Sequence, residues 1–172
     1  MTKRLIAIWA QDQAGLIGQN NSLPWHLPKE LQHFKETTMG QAMLMGRVTF
    51  DGMNRRLLPG RETLILSRQA DFEAEGIQAF TSPEAVLDWF QTQDKDLYIV
   101  GGAKVYEAML PHCDQLVVTR VEGEFTGDTY FPEVDWSSFV PIAEQMIEAD
   151  EANPHAFTIT TYERKEEESR AT

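Results

Sequence analysis

Leu97-Tyr98-Ile99-Val100-Gly101-Gly102-Ala103-Lys104-Val105-Tyr106 is the stretch on which the fold of this chain turns. Its first four residues are apolar without a break, as in a strand covered on both faces; a strand with one wet face alternates. From residue 103 to 110 the spacing becomes helical. The two glycines between allow backbone angles and a closeness of approach that side chains forbid, so a tight strand-to-helix turn is expected. The same sequence of strand, turn and helix recurs at Met45-Gly46-Arg47-Val48-Thr49-Phe50, behind the apolar run Ala42-Met43-Leu44-Met45. Leu5-Ile6-Ala7-Ile8-Trp9-Ala10 and Thr63-Leu64-Ile65-Leu66 are two further buried-strand patterns. Helices are predicted over 28–38 and 83–91, the second opened by Ser82 as N-cap with Pro83 in the first helical position. Buried strands alternating with helices predict parallel crossover connections, hence an α/β fold.

Toward the C-terminus the pattern changes. Residues 115–122 form another strand pattern, and 139–146 a weaker one. Phe157-Thr158-Ile159-Thr160-Thr161-Tyr162 alternates apolar and polar residues, as a half-exposed antiparallel strand does. The expectation is a mostly parallel sheet with antiparallel pairing at its C-terminal side. One domain over 1–164 and a polar tail over 165–172 are expected. Residues 11–24 are long, polar and marked by Gly and Pro, a mobile-loop pattern.

The 172 residues suffice to bury a core, and 42% hydrophobic with 24% charged residues is ordinary for a globular chain. The net charge of −12 disfavours nucleic acid and anionic membrane surfaces as partners. An anionic substrate would then need individual arginines set into an acidic surface. Cys113 is the single cysteine, outside any thiol-protease or redox motif, so an inert thiol and a reducing compartment are expected. With no membrane-length apolar run and no signal-peptide pattern, a cytoplasmic protein is expected. His26, His33, His112 and His155 show no metal-ligand spacing, and neither CxxC nor HExxH is present, so no metal site is expected.

Three stretches carry chemistry. In Leu23-Pro24-Trp25-His26-Leu27-Pro28-Lys29-Glu30-Leu31-Gln32-His33-Phe34-Lys35, a turn of ~100° per residue puts Leu27, Leu31, Phe34 and Thr38 on one stripe. Glu30 falls with them. Two readings stand at this point: a stripe-edge carboxylate that reaches solvent or pairs with an arginine, or a carboxylate facing a pocket, its pKa raised by burial. The Gly101-Gly102 turn brings a helix N-terminus within reach of phosphate, although the third glycine of a dinucleotide fingerprint is missing. Arg47 and Thr49 add a guanidinium and a hydroxyl to the equivalent turn at Gly46. Arg61 and Arg68 flank the strand pattern at 63–66, where an arginine is either solvated or an anion ligand.

These segments together resemble the dihydrofolate reductases, in order and across nearly the whole chain. The resemblance rests on Trp9-Ala10-Gln11-Asp12, Gly15-Leu16-Ile17-Gly18, Leu23-Pro24-Trp25-His26-Leu27-Pro28, Met45-Gly46-Arg47-Val48-Thr49-Phe50, Leu58-Pro59-Gly60-Arg61, Val100-Gly101-Gly102-Ala103 and Gly127-Asp128-Thr129. It is strongest to the bacterial enzymes, especially those of lactic-acid-type bacteria. It implies a central, mostly parallel eight-stranded sheet with an antiparallel C-terminal strand, flanked by helices. It also implies reduction of dihydrofolate by NADPH in a monomer. Glu30, Trp25, Leu23 and Thr119 fall at the family's catalytic positions, with Glu30 binding the pterin amino group and ring nitrogen and Thr119 behind it. Ile6, Ala7, Leu31, Phe34, Thr49, Met53 and Leu58 are implied as the substrate pocket, and Arg61 as the grip on the α-carboxylate of the glutamate tail. For NADPH the implied set is Ala7, Ile17 and Tyr106 at the nicotinamide end, and Gly46, Arg47, Val48 and Thr49 on one side. Leu66, Ser67 and Arg68, with Arg68 on the 2′-phosphate, and Val100, Gly101, Gly102, Ala103, Lys104 and Val105 complete it. Glu30 stands where many bacterial relatives have Asp, and Leu23 where some have Met. Asn54-Arg55-Arg56-Leu57 holds one residue more than some relatives, so the pocket position there falls on Leu57 or Leu58. A pteridine or pyrimidine reductase of the same fold and a non-catalytic pterin-binding relative are the competing readings. Glu30 on the apolar stripe and Leu23-Pro24-Trp25 favour folate.

Overall fold

The structure, a computed structural model, describes residues 3–18 and 25–165. Its main strands are β1 (Leu5–Gln11), β3 (Ala42–Gly46), β4 (Glu62–Leu66), β5 (Ile77–Phe80), β6 (Leu97–Ile99), β7 (Gln115–Val121), β9 (Phe139–Ile147) and β10 (Phe157–Arg164). They make one eight-stranded sheet in the order β5-β4-β3-β6-β1-β7-β10-β9. Every pairing from β5 across to β7 is parallel, and β10 runs antiparallel to both β7 and β9. A two-stranded ribbon, β2 (Leu16–Gly18) with β8 (Thr129–Tyr130), sits apart from it.

Alternation along β1 divides the core. Leu5, Ala7 and Trp9 pack with Val86 and Phe90 of α3 (Pro83–Gln91) and with Val105, Tyr106 and Met109 of α4 (Ala103–Met109). Ile6, Ile8 and Ala10 pack with Trp25 and Leu27, at the entrance to α1 (Pro28–Thr38), and with Phe34 within it. Phe50 of α2 (Arg47–Gly52) packs beside Met43, Met45 and Ile65. Parallel strands thus have helices on both faces, which is why their sequences are apolar throughout.

Differences from the sequence reading have local causes. β5 had no apolar signature, because it is an edge strand with Gln78 and Ala79 exposed. Part of the expected mobile loop is pinned: Leu16 is fully buried, and β2 pairs with β8. The buried Asp12 carboxylate accepts from the amides of Ala14 (2.8 Å), Leu16 (2.9 Å) and Phe125 (2.9 Å). Residues 19–24 of that loop, Leu23 included, and 166–172 of the expected tail lie outside the described residues. After Met53 the chain makes a turn in which Asn54 (φ 57°) and Arg55 (φ 54°) are both left-handed. That turn packs Leu58 beside Phe34 and Met53, and leaves Leu57 40% exposed. Among the described residues, no helix is long and apolar enough to cross a membrane.

Candidate active site

β6 follows β1 only as far as Ile99, opposite Ala7. Beyond that point the chain swings toward β3: Val100 donates to Leu44 O at 3.0 Å, and Gly46 donates to Gly101 O at 2.9 Å. The sheet therefore splits at its carboxyl end between β6 and β1, the kind of place where ligands enter parallel α/β sheets. Tyr106 bridges the split by donating its hydroxyl to Ile8 O at 2.7 Å.

A cavity of about 400 Å³ occupies the split. Ile8, Trp9 and Ala10 form one wall, Leu31, Phe34 and Met53 another, and Val100, Gly101, Gly102, Ala103 and Tyr106 a third. Ile17, Gly18, Thr49 and Thr129 close its rim. Glu30 opens into it, 8% exposed. Burial pushes its carboxyl up to about 7, because a charge facing apolar walls loses hydration that nothing replaces. Of the two readings of Glu30, solvent-reaching edge or pocket carboxylate, the geometry matches the second. Leu31, 49% exposed, fronts the cavity.

A second cleft, of about 720 Å³, shares Thr49, Gly102, Ala103 and Thr129 with the first, so the two are continuous. Gly46, Arg47 and Val48 line it from the start of α2, Leu66, Ser67 and Arg68 from the end of β4, and Lys104 and Val105 from α4. Gly46 and Gly102 are the N-caps of α2 and α4, and neither has a side-chain cap. Both helices therefore begin with free amide donors at the cleft. Close neighbours leave little room for a side chain at either cap. A Cβ on Gly46 would stand 3.0 Å from Val105 Cγ2, and one on Gly102 3.3 Å from Thr49 Oγ1, while Gly101 has φ +124°.

Several expected residues sit elsewhere. Ile6 and Ala7 do not line the cavity; both lie deeper in β1, still paired to β6, and Ala7 faces the α3–α4 side. Their place is taken by Ile8, Trp9 and Ala10, past the end of that pairing. Trp9-Ala10-Gln11-Asp12 pointed toward the carboxyl end of β1, where ligands meet parallel strands, but not to the rung at which the cavity begins. Leu58 packs against the core cluster of Met43, Met45, Phe50 and Ile65 rather than on the cavity wall. Arg61 is beyond the cavity, one helical turn past Phe34, where it donates to Thr38 Oγ1 (3.4 Å) and Pro59 O (3.0 Å). Arg47 lines the cleft but is engaged by Gln69, by Asp51 at 3.6 Å and by the Phe72 ring at 4.8 Å. Arg68 is exposed, with no carboxylate partner among the described residues. Thr119 is buried in β7 opposite Ala10. Trp25 is buried on Phe125, and its Nε1 is a donor without a partner among the described residues. Thr81, Pro83 and Ala108 line the larger cleft, and Thr129 both. Thr81 and Ala108 carried no motif, and Pro83 was read only as a helix start. Cys113 is fully buried, and burial pushes its thiol up to about 12.

Comparison with known proteins agrees with this geometry. The family model for dihydrofolate reductase matches residues 4–164. A dihydrofolate reductase of Lactococcus lactis subsp. lactis is 47% identical, over 93% of this chain and 97% of its own. One from Bacillus subtilis is 37% identical, over 92% and 93%. A solved dihydrofolate reductase from Enterococcus faecalis, complexed with NADP(H) and RAB-propyl, superposes with a TM-score of 0.92 at 41% identity, covering 95% of this chain and 97% of that one. On a carboxylate-floored cavity continuous with a glycine-walled cleft, and on these matches, the chain belongs to the dihydrofolate reductase family.

Proposed function

We infer that this protein reduces 7,8-dihydrofolate to 5,6,7,8-tetrahydrofolate with NADPH, supplying one-carbon metabolism, and that it works as a cytoplasmic monomer. The observation that carries this reading is the Glu30 carboxyl, 8% exposed and pushed up to about 7, at one end of a cavity that continues into a dinucleotide-sized cleft. The cleft fits the cofactor chemically: bare backbone at Gly46 and Gly102, two uncapped helix starts, and basic side chains at Arg47, Arg68 and Lys104. Bound there, NADPH supplies the hydride that pterin C6 accepts.

The chain's own residues align and desolvate the substrate. Glu30 hydrogen-bonds the pterin amino group and ring nitrogen and favours the protonated pterin, while water brings the N5 proton. Ile8, Leu31, Phe34 and Met53 hold the ring, and Arg61 meets the glutamate tail. Gly101, Gly102, Thr49 and the α4 amides hold pyrophosphate, and Arg68 and Ser67 the 2′-phosphate. Trp9, Ala10 and Ile17 keep water off the reacting face. The test is NADPH oxidation with and without dihydrofolate, beside Glu30→Gln. Dihydrofolate-dependent oxidation that Glu30→Gln largely loses supports the reading. NADPH binding without dihydrofolate reduction moves the substrate to another pteridine or pyrimidine.

A further inference from the structure

Helix α1 begins without a cap of its own. Leu27 occupies the N-cap position and its side chain has no acceptor. Pro28 removes one donor from the first turn, but the Lys29 amide still needs an acceptor, since no earlier helical carbonyl faces it. That acceptor is Asn153 Oδ1 at 2.9 Å, from the segment between β9 and β10, 124 positions along the chain. Asn153 is 2% exposed, unusual for an asparagine. Its Nδ2 donates to Asp150 Oδ1 at 2.9 Å, and its main-chain amide donates to the same oxygen at 2.8 Å. Asp150 Oδ2 in turn meets Lys29 Nζ at 2.8 Å. Lys29 and Asn153 together hold the Asp150 carboxyl well below the usual carboxylate range. The same segment touches the approach to the helix from the other side. His155 stands edge-on to Phe125 at 4.8 Å, and Phe125 packs on Trp25 at 5.3 Å.

We propose that Asn153 is a positioning residue for Glu30: it caps the helix that carries the carboxyl, one residue before it, and so fixes where the carboxyl stands in the cavity. Asn153, Asp150 and His155 line neither the cavity nor the larger cleft, so they act through the helix rather than on a ligand. The inference rests on the role given to Glu30 above. Across the cavity the Tyr106 hydroxyl is raised by burial, and the Glu30 charge adds to the rise. On α1 itself, burial lowers the His33 imidazole against the opposing charge of Glu36, and the Lys29 ammonium is turned to Asp150.

The experiment compares Asn153→Ala and Asn153→Ser with the parent in the full chain. It measures the pH profile of turnover, KM for dihydrofolate, NADPH binding and thermal unfolding. Loss of the cap is expected to lower kcat/KM for dihydrofolate about tenfold, since an unfastened first turn misplaces the carboxyl. NADPH binding is expected to stay unchanged. The apparent pKa of the profile should drop as water reaches Glu30. Lower thermal stability with the parent's kcat/KM and pH profile would make Asn153 a merely structural residue and overturn the proposal. So would a Lys29→Ala variant that reproduces the whole effect, because it removes only the exposed ion pair. Glu30→Gln run in parallel separates the two failures. If that variant turns over normally, the role of Glu30 falls and this inference with it. If it is crippled while Asn153→Ala matches the parent, only this inference falls.

Discussion

The hydroxyl of Tyr106 donates to the main-chain oxygen of Ile8 at 2.7 Å, at the point where β1 has lost its β6 neighbour. The bond satisfies a backbone acceptor that the sheet has abandoned, and it ties α4 to the cavity wall. Tyr106→Phe leaves that carbonyl without its partner, which costs about 1–2 kcal/mol. The midpoint of thermal unfolding should fall by about 3–6 °C. An unchanged midpoint would mean that the carbonyl finds water at no loss.

Glu30 makes stability depend on pH in a defined direction. Its carboxyl titrates near ~4.3 in an unfolded chain and at about 7 in the folded protein. The folded form therefore holds the proton more tightly. The stability contributed by the protonated group is complete below the unfolded pKa and is lost as pH rises through about 7. The loss is about 4 kcal/mol at most. Denaturant unfolding of the ligand-free protein at pH values spanning this window, with and without Glu30→Gln, measures it. The glutamine variant should remove most of the slope, and an equal slope in both proteins would assign it to other groups.

Turnover should follow the same group. Above about pH 7 the carboxyl of the free enzyme has given up its proton, and the enzyme brings one proton fewer to the complex with the pterin. Hydride transfer should slow with rising pH in the parent enzyme, and Glu30→Gln should be slow throughout. Single-turnover rates with saturating NADPH separate this from product release.

Arg68 and Arg47 line the same cleft but are not equivalent. Arg47 is held by Asp51, Gln69 and the Phe72 ring, whereas Arg68 has no carboxylate partner among the described residues. A charge-assisted hydrogen bond contributes about 1.5–3 kcal/mol. Arg68→Ala should therefore weaken NADPH by roughly 10- to 100-fold and leave NADH nearly unaffected. Equal weakening of both would remove Arg68 from the 2′-phosphate.

Gly101 has φ +124°, a conformation that costs an L-residue about 1–3 kcal/mol. Gly101→Ala should lower thermal stability by that amount and weaken NADPH binding, because relief of the strain moves the turn. A stable variant with the parent's cofactor affinity would show that the turn tolerates a side chain.

Local rules carried most of the architecture. Four apolar residues before Gly101 and the alternation at 157–162 were enough to call parallel strands and an antiparallel last one, because periodicity reports how many faces a strand buries. β5, β2 and β8 escaped that rule, being short or exposed. The stripe of α1 put Glu30 among Leu27, Leu31 and Phe34 from helix geometry alone, and the resemblance supplied the glycine-walled cleft. Neither told which rung of β1 meets the cavity. Ile6 and Ile8 share a face and are equally apolar; what separates them is that β6 ends opposite Ala7, a fact of pairing between strands some 90 residues apart in sequence. The carboxyl at about 7 and the asparagine that caps its helix from the far end of the chain were likewise decided by the tertiary structure, since desolvation and capping depend on what is nearby in space. The amino-acid sequence by itself determined which segments become strands and helices and which side chain carries the charge; only packing decided how deep that charge lies and what holds it there.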